Sequence, residues 1–187
     1  MNIANKISTF RILSVPFFVA TLIYYSPQRD YLRFVALGIF ILGVISDAAD
    51  GYIARKAKQI SKAGMVLDPL GDKFLLMSAF ICLNLVDKLQ VQFPLWVTLV
   101  VISRDVIILL GAVVIYMVHQ NINILPTKWG KLTTTFQMLA VIVVLLQVQC
   151  AFIFWWIAVI FTVVSGIDYT MKGFKILYAS DSHRNNR

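Results

Sequence analysis

Residues Asp47 to Asp72 read DAADGYIARKAKQISKAGMVLDPLGD and connect two apolar segments of the chain. This stretch places four carboxylates, those of Asp47, Asp50, Asp68 and Asp72, at the ends of these segments. An ionised carboxylate at membrane depth is costly, so four of them close together indicate a site that holds cations. The functional site is therefore expected in this stretch.

The composition around this stretch is that of an integral membrane protein. Of the 187 residues, 59% are apolar and only 14% are charged, and the mean hydropathy is +0.80. Soluble domains carry roughly a quarter charged residues. The net charge of +8 favours attraction to anionic membrane lipids, because no soluble basic domain is present to bind nucleic acid.

The apolar segments predict six transmembrane helices, since one crossing needs about 20 mostly apolar residues. The uncharged run from Leu132 to Ile167 would form one helix about 54 Å long against a bilayer core of about 30 Å, so it is predicted to hold two spans. The turn between them is placed at Gln147-Val148-Gln149. The other four spans are Ile7 to Tyr25, Tyr31 to about Ile53, Gly64 to Val86 and Phe93 to Val118.

The predicted fold class is all-α, a polytopic membrane protein with six transmembrane helices. One domain over residues 1–178 is followed by a short polar C-terminal tail, residues 179–187. The outer loops keep only Arg29, Arg33 and Lys88 among the lysines and arginines. The positive-inside rule therefore predicts a multi-pass protein of the cell (inner) membrane, with both termini and the aspartate cluster facing the cytoplasm.

The aspartates fall on two helix faces. At about 100° per residue, one face of the second span carries Asp47, Asp50, Gly51, Ala54 and Arg55 within an arc of about 140°. Gly64, Asp68 and Asp72 form a narrower stripe on the third span. If these faces oppose each other, the four carboxylates converge, and all-oxygen ligands favour hard divalent cations such as Mg²⁺, Mn²⁺ or Ca²⁺. Four carboxylates are sufficient for two ions.

Two metal ions beside an arginine suit phosphoryl or pyrophosphate chemistry, because the ions stabilise charge that develops on phosphate oxygens. Gly51 and Ala54 leave room for a nucleotide to approach the backbone, and Arg55 is suited to bind phosphate. Asp72 is the candidate that accepts the proton of an attacking hydroxyl. The alternative for each aspartate is a helix cap or a partner for lysine, and the glycines also suit close helix packing.

These residues match the signature D-x2-D-G-x2-A-R-x8-G-x3-D-x3-D, and the chain therefore resembles the CDP-alcohol phosphatidyltransferase family. The resemblance implies a metal-dependent enzyme that displaces CMP from a CDP-linked lipid with an alcohol. It implies metal binding by Asp47, Asp50, Asp68 and Asp72, with Asp72 also acting as general base. The implied CDP site comprises Asp47, Gly51, Ala54, Arg55 and Gly64. The resemblance also implies a homodimer.

Segments outside the signature resemble the bacterial branch of this family that uses CDP-diacylglycerol and glycerol 3-phosphate. Arg104 lies in the middle of an apolar span, where a lone cation needs an anionic partner. With Lys128 and Lys131 it is predicted to hold the phosphate of the acceptor. Further possible contacts to the acceptor or lipid are Asn5, Ser8, Arg11, Thr134 and Gln137.

Several alternatives remain open at this stage. Arg104 has a possible ion-pair partner in Asp105 or Asp168, and Thr134 and Gln137 have a possible role in bonding neighbouring helices. An Arg-Asp pair at 104 and 105 is also similar to the cardiolipin synthases of this family, which use phosphatidylglycerol as acceptor. A divalent-cation transporter is the alternative that is not an enzyme, but the carboxylates do not continue as a polar path through the spans.

Overall fold

The computed structural model describes residues 3–57, 64–119 and 128–184, and side chains within 11–46, 73–111 and 129–173. These residues form α-helices joined by short loops, with one 3₁₀ turn at Pro27–Arg29 and no strand in the described ranges. The all-α prediction with six helices is confirmed. The helices are α1 (Ile3–Ile23), α2 (Tyr31–Ala57), α3 (Gly64–Leu85), α4 (Leu95–His119), α5 (Lys128–Leu145) and α6 (Ala151–Arg184).

The long uncharged run is divided where the sequence predicts. Gln147 has a φ of 56°, which is the left-handed conformation that commonly ends a helix. The Gln147 amide donates to the Val144 carbonyl at 2.9 Å, and the Val148 amide donates to the Val143 carbonyl at 3.3 Å. These two bonds are the Schellman arrangement, which satisfies the last carbonyls of α5.

The Gln147 side chain also fastens this turn to the loop before α4. Its Oε1 accepts from the Val91 amide at 2.9 Å, and its Nε2 donates to the Val91 carbonyl at 3.0 Å and the Val144 carbonyl at 2.8 Å. One amide side chain thus satisfies backbone groups of two segments. This explains why a residue other than glycine occupies the left-handed position.

We expect Gln147→Ala to lower the melting temperature of the purified protein by roughly 4–8 °C, because it leaves backbone groups unsatisfied and keeps an unfavourable φ. Gln149→Ala is the matched control, since Gln149 is exposed and its loss leaves these bonds intact. Thermal unfolding in detergent, followed by circular dichroism, measures both variants. Equal melting temperatures for the two variants would show that the Gln147 contacts do not stabilise the bundle.

The three described interhelical loops, residues 24–30, 86–94 and 146–150, lie at one end of the bundle, which we term the loop end. Besides the Val91–Gln147 bonds, the Arg33 Nη1 donates to the Leu145 carbonyl at 2.9 Å and so joins α2 to the end of α5. Arg33 also pairs with Asp30 at 2.8 Å, and its hydrogen bonds hold the pKa of the Asp30 carboxyl below its ordinary value. The end of α2 and the start of α3 therefore lie at the opposite end.

The bundle buries a core of aromatic and aliphatic side chains, including Phe18, Phe40, Phe80 and Phe93. Its outer surface is also apolar: Phe17 is 66% exposed and Ile160 is 58% exposed. Large apolar side chains over the outside of a helical bundle indicate a lipid rather than a water environment. At the loop end, Trp96 lies 5.1 Å from Trp156 between ring centroids, as expected for aromatic residues at a membrane interface.

The lengths of the apolar helices only partly match the predicted spans. Among residues with described side chains, Ala151–Gly173 is the one segment long and apolar enough to cross a membrane by length and composition. The segments Arg11–Ile23, Tyr31–Ser46, Lys73–Leu85 and Trp129–Leu145 are shorter apolar helices. Six helices are thus observed, while six separate crossings stay a prediction. Helix α6 continues to Arg184, so most of the tail predicted from residue 179 is helical.

Candidate active site

The relative direction of α2 and α3 determines where the residues of the signature lie. Gly43 of α2 contacts Leu75 of α3 so closely that a Cβ at Gly43 would meet the leucine side chain. At 1.5 Å per residue, Gly43 lies about 21 Å from the end of α2 and Leu75 about 16 Å from the start of α3. Parallel helices would separate Ala57 from Gly64 by about 37 Å, beyond the roughly 25 Å that the connecting chain can reach. The two helices therefore pack antiparallel.

This packing sets the register of the signature motif. Because the backbones run in opposite directions from the Gly43–Leu75 contact, Asp50 lies level with Asp68, and Asp47 lies level with the turn that holds Asp72. Positions 47, 50 and 54 follow Gly43 by four, seven and eleven residues, so they share its helix face. Positions 64, 68 and 72 share the face of Leu75 in the same way.

The two motif stripes therefore continue the faces through which α2 and α3 contact each other. The described side chains do not include those of the four aspartates, Asp47, Asp50, Asp68 and Asp72, or that of Arg55. The surroundings of the other predicted nucleotide-binding residues, Gly51, Ala54 and Gly64, are likewise not described. The convergence of the four aspartates on metal ions stays a prediction. The donor set of this predicted site, four carboxylates on two helix stripes, fits hard divalent cations. The described side chains by themselves contain no group of three potential metal ligands.

Directly after Asp72, a buried cluster of charges links three helices. The Asp105 Oδ1 accepts from Lys73 Nζ at 2.6 Å and from Arg104 Nη1 at 2.7 Å. The Arg104 Nη2 donates to Ser165 Oγ at 2.6 Å. We term these four residues, from α3, α4 and α6, the Asp105 cluster. It lies about 14 Å along α4 from the loop end, which is near the middle of a bilayer core.

The Asp105 cluster settles which ion pair Arg104 makes. Of the two partners considered from the sequence, Asp105 bonds to Arg104, whereas Asp168 pairs with Lys172 at 2.8 Å. Asp105 is fully buried and Arg104 is 7% exposed. Two cations share this one carboxylate, so Lys73, Arg104 and Asp105 together have one excess positive formal charge, next to the turn that holds Asp72. A buried net charge is costly unless an anion lies nearby.

The other predicted acceptor contacts are dispersed. Lys131 is exposed, and no described ion pair or hydrogen bond joins it to Arg104. Arg11 is buried and borders a small cavity with Phe40 and Leu76. The side chains of Lys128, Asn5 and Ser8 lie outside the described side chains. The three-cation pocket thus stays a prediction.

Two of the proposed acceptor contacts make hydrogen bonds inside the bundle. The Gln137 Nε2 donates to Thr162 Oγ1 at 2.9 Å across the α5–α6 interface, and Gln137 is fully buried. Thr134 donates to the Gly130 carbonyl of its own helix at 3.1 Å. The Gln137 contact agrees with the alternative that these polar residues bond neighbouring helices, whereas the Thr134 bond stays within α5.

Sequence reasoning missed Lys73 and Ser165 as members of the site. The signal for Lys73 was the same as for Arg104, a cation inside an apolar span that needs a partner. No comparable signal identifies Ser165, because a serine is common in membrane helices.

Comparison with known proteins gives consistent findings. The family model described as CDP-alcohol phosphatidyltransferase matches residues 1–164. A "Probable phosphatidylglycerophosphate synthase" of Mycobacterium tuberculosis is 31% identical over 93% of this chain and 82% of the relative. A "CDP-diacylglycerol--glycerol-3-phosphate 3-phosphatidyltransferase" of Haemophilus influenzae is 32% identical over 90% of this chain and 91% of the relative. A relative of the same name from Bacillus subtilis is 30% identical over 96% of this chain and 99% of the relative.

Proposed function

The chain belongs to the CDP-alcohol phosphatidyltransferase family, and on that premise we propose that it transfers a phosphatidyl group from CDP-diacylglycerol to glycerol 3-phosphate. The products are phosphatidylglycerol phosphate and CMP. The observation that carries the proposal is the intact signature, whose positions continue the helix faces through which α2 and α3 contact each other at Gly43 and Leu75. The names of the relatives from H. influenzae and B. subtilis support glycerol 3-phosphate as the acceptor.

The aspartate stripes supply the chemistry of the donor lipid. Asp47, Asp50, Asp68 and Asp72 would hold two Mg²⁺ or Mn²⁺ ions, which when bound would neutralise pyrophosphate oxygens and the charge that develops on CMP. Gly51, Ala54 and Gly64 leave space for the nucleotide, and Arg55 binds a phosphate oxygen. These residues place the diacylglycerol-linked phosphorus close to the attacking hydroxyl.

Asp72 performs the proton transfer in the proposed reaction. It accepts the proton of the 1-hydroxyl of glycerol 3-phosphate as the oxygen forms a bond to the phosphorus that bears diacylglycerol. The bond from this phosphorus to the CMP oxygen breaks, and CMP leaves with that electron pair. Asp72 lies one residue before Lys73 and thus next to the positive Asp105 cluster, which is suited to the phosphate of the acceptor.

Arg104 is proposed to bind that phosphate, with Lys128 and Lys131 adding positive charge at the start of α5. We expect Arg104→Ala to raise the KM for glycerol 3-phosphate at least about tenfold and to change the KM for CDP-diacylglycerol little, because a charge-assisted hydrogen bond is lost on one substrate only. Steady-state release of CMP with each substrate varied in turn measures both constants. Equal KM values in Arg104→Ala and wild type would remove Arg104 from the acceptor site.

The choice of acceptor is tested by supplying two alcohols in parallel to the purified protein with CDP-diacylglycerol and Mn²⁺ or Mg²⁺. We expect CMP release with glycerol 3-phosphate and none above background with phosphatidylglycerol. Release only with phosphatidylglycerol would identify a cardiolipin synthase and contradict the proposed acceptor. A variant that lacks Asp72 controls for hydrolysis by contaminants.

The remaining proposals concern the protein in its membrane. The chain is proposed to be a multi-pass protein of the cell (inner) membrane, with six transmembrane helices in one domain over residues 1–178. Both termini and the active site face the cytoplasm, which supplies glycerol 3-phosphate. The antiparallel packing of α2 and α3 and the shared loop end support this topology. We also propose a homodimer, on the basis of the family resemblance.

A further inference from the structure

The Asp105 cluster has more connections than an ion pair between two helices needs. One carboxylate oxygen, Asp105 Oδ1, takes bonds from α3 through Lys73 and from its own neighbour Arg104. Arg104 then reaches α6 through Ser165. Both terminal nitrogens of the Arg104 guanidinium are thus held at fixed positions, and the plane of the group is set by α4 and α6 together.

The charge of the cluster is also unbalanced. Lys73 and Arg104 contribute two formal positive charges and Asp105 one negative charge, so the cluster's own side chains leave one positive charge next to the turn that holds Asp72. A cluster that served packing alone is less costly when its charges cancel. The excess charge, near the middle of the bundle, is suited to hold an anion such as a phosphate monoester.

The position of the cluster in the chain relates it to the reaction. Lys73 follows Asp72 directly in α3. The Lys73–Asp105 bond therefore fixes the position of the turn that holds Asp72 along the axis of α4. On α4 the same carboxylate holds Arg104, the proposed ligand of the acceptor phosphate. The two groups that act on opposite ends of the acceptor, its hydroxyl and its phosphate, are therefore joined through one side chain.

We propose that Asp105 and Ser165 are positioning residues that set the distance between Asp72 and the Arg104 guanidinium, and thereby select an acceptor with a matching hydroxyl-to-phosphate spacing. This inference rests on the proposed function. Neither residue touches the reacting atoms. Their effect is on acceptor affinity and acceptor choice, and the binding of CDP-diacylglycerol is left to the aspartate stripes.

The first test is Ser165→Ala, which removes one hydrogen bond and leaves the ion pairs intact. We expect the KM for glycerol 3-phosphate to rise about tenfold, since a bond to a charged group is lost, while the KM for CDP-diacylglycerol stays within about twofold. Ser78→Ala is the matched control, because the bond of Ser78 Oγ among the described residues is to the Leu75 carbonyl of its own helix, at 2.8 Å. A Ser165→Ala enzyme with the acceptor KM of Ser78→Ala would overturn the proposal.

The second test compares Asp105→Asn with Asp105→Glu. Asn keeps the shape but loses the charge, so the acceptor KM should rise more than in Ser165→Ala. Glu restores the charge, and we expect it to recover the acceptor KM to within about threefold of wild type. If Asp105→Asn does not fold, the Ser165→Ala result decides. If Asn and Glu variants have the same acceptor KM, the carboxylate does not position Arg104.

The specificity of the acceptor gives a readout that a purely structural role would not change. Glycerol 2-phosphate has a different spacing between hydroxyl and phosphate. The kcat/KM for glycerol 3-phosphate divided by the kcat/KM for glycerol 2-phosphate therefore reports which spacing the enzyme selects. We expect this ratio to fall about tenfold in Ser165→Ala and to stay unchanged in Ser78→Ala. A wild-type enzyme inactive with glycerol 3-phosphate would refute the proposed function itself. An active wild type with an unchanged ratio in Ser165→Ala would refute only this inference.

Discussion

Asp72→Asn is expected to reduce kcat by about 10²- to 10⁴-fold, because the amide cannot accept the proton of the attacking hydroxyl. Nucleotide binding should be largely retained, since Asp47, Asp50 and Asp68 keep their charge and Arg55 keeps its phosphate contact. Single-turnover CMP release separates the chemical step from product release. Titration with CDP, followed by its effect on the melting temperature, measures binding independently of turnover.

The control for this variant is Asp87→Asn. Asp87 is exposed in the loop before α4, at the opposite end of the bundle from the signature motif. The Asp87→Asn variant has the same change of charge and volume as Asp72→Asn, and we expect it to have the wild-type kcat. Full activity in Asp72→Asn would refute the general-base role. A loss of CDP binding together with activity would instead assign Asp72 to the metal site alone.

Removal of divalent cations is expected to abolish CMP release altogether. In the proposed site, four ionised carboxylates would repel one another strongly without cations, so the empty site would neither bind a pyrophosphate nor stabilise the leaving group. The measurement is activity after treatment with EDTA, followed by titration with Mn²⁺ or Mg²⁺. A sigmoidal return of activity with metal concentration is expected if two ions act together.

Chelation also has an expected effect that does not depend on turnover. Because the proposed ions would neutralise charge between α2 and α3, their removal should lower the melting temperature of the wild-type protein. In an Asp47→Asn/Asp68→Asn variant, which lacks two of the four carboxylates, this shift should be much smaller. Activity that persists in EDTA would contradict a metal-dependent mechanism. An equal shift in wild type and variant would place the metal elsewhere.

The sequence predicted the helical architecture well where one physical requirement was dominant. The run from Leu132 to Ile167 was too long for one crossing, and the turn falls at Gln147 as expected. The signature motif was equally informative, since helical periodicity alone places Asp47 and Asp50 on one face. The antiparallel register of α2 and α3 needed the structure, because it depends on the contact between Gly43 and Leu75.

The surroundings of Arg104 were less predictable. A cation in an apolar span requires a partner, but the sequence allowed Asp105 and Asp168 equally. The partner of Arg104 depends on three helices at once. Lys73 from α3 donates to the same carboxylate, and Ser165 Oγ from α6 accepts from the other terminal nitrogen of the guanidinium. Such contacts depend on the rotation of each helix in the bundle, which hydrophobic periodicity fixes only roughly for helices that are apolar on most faces.

The most direct test of the central claim is the transfer of radiolabelled glycerol 3-phosphate into lipid by the purified protein with CDP-diacylglycerol and Mn²⁺. We expect label in the organic phase in a one-to-one ratio with released CMP, and none with Asp72→Asn. CMP release without label in lipid would refute the proposed function, because it would show that glycerol 3-phosphate is not the alcohol that receives the phosphatidyl group.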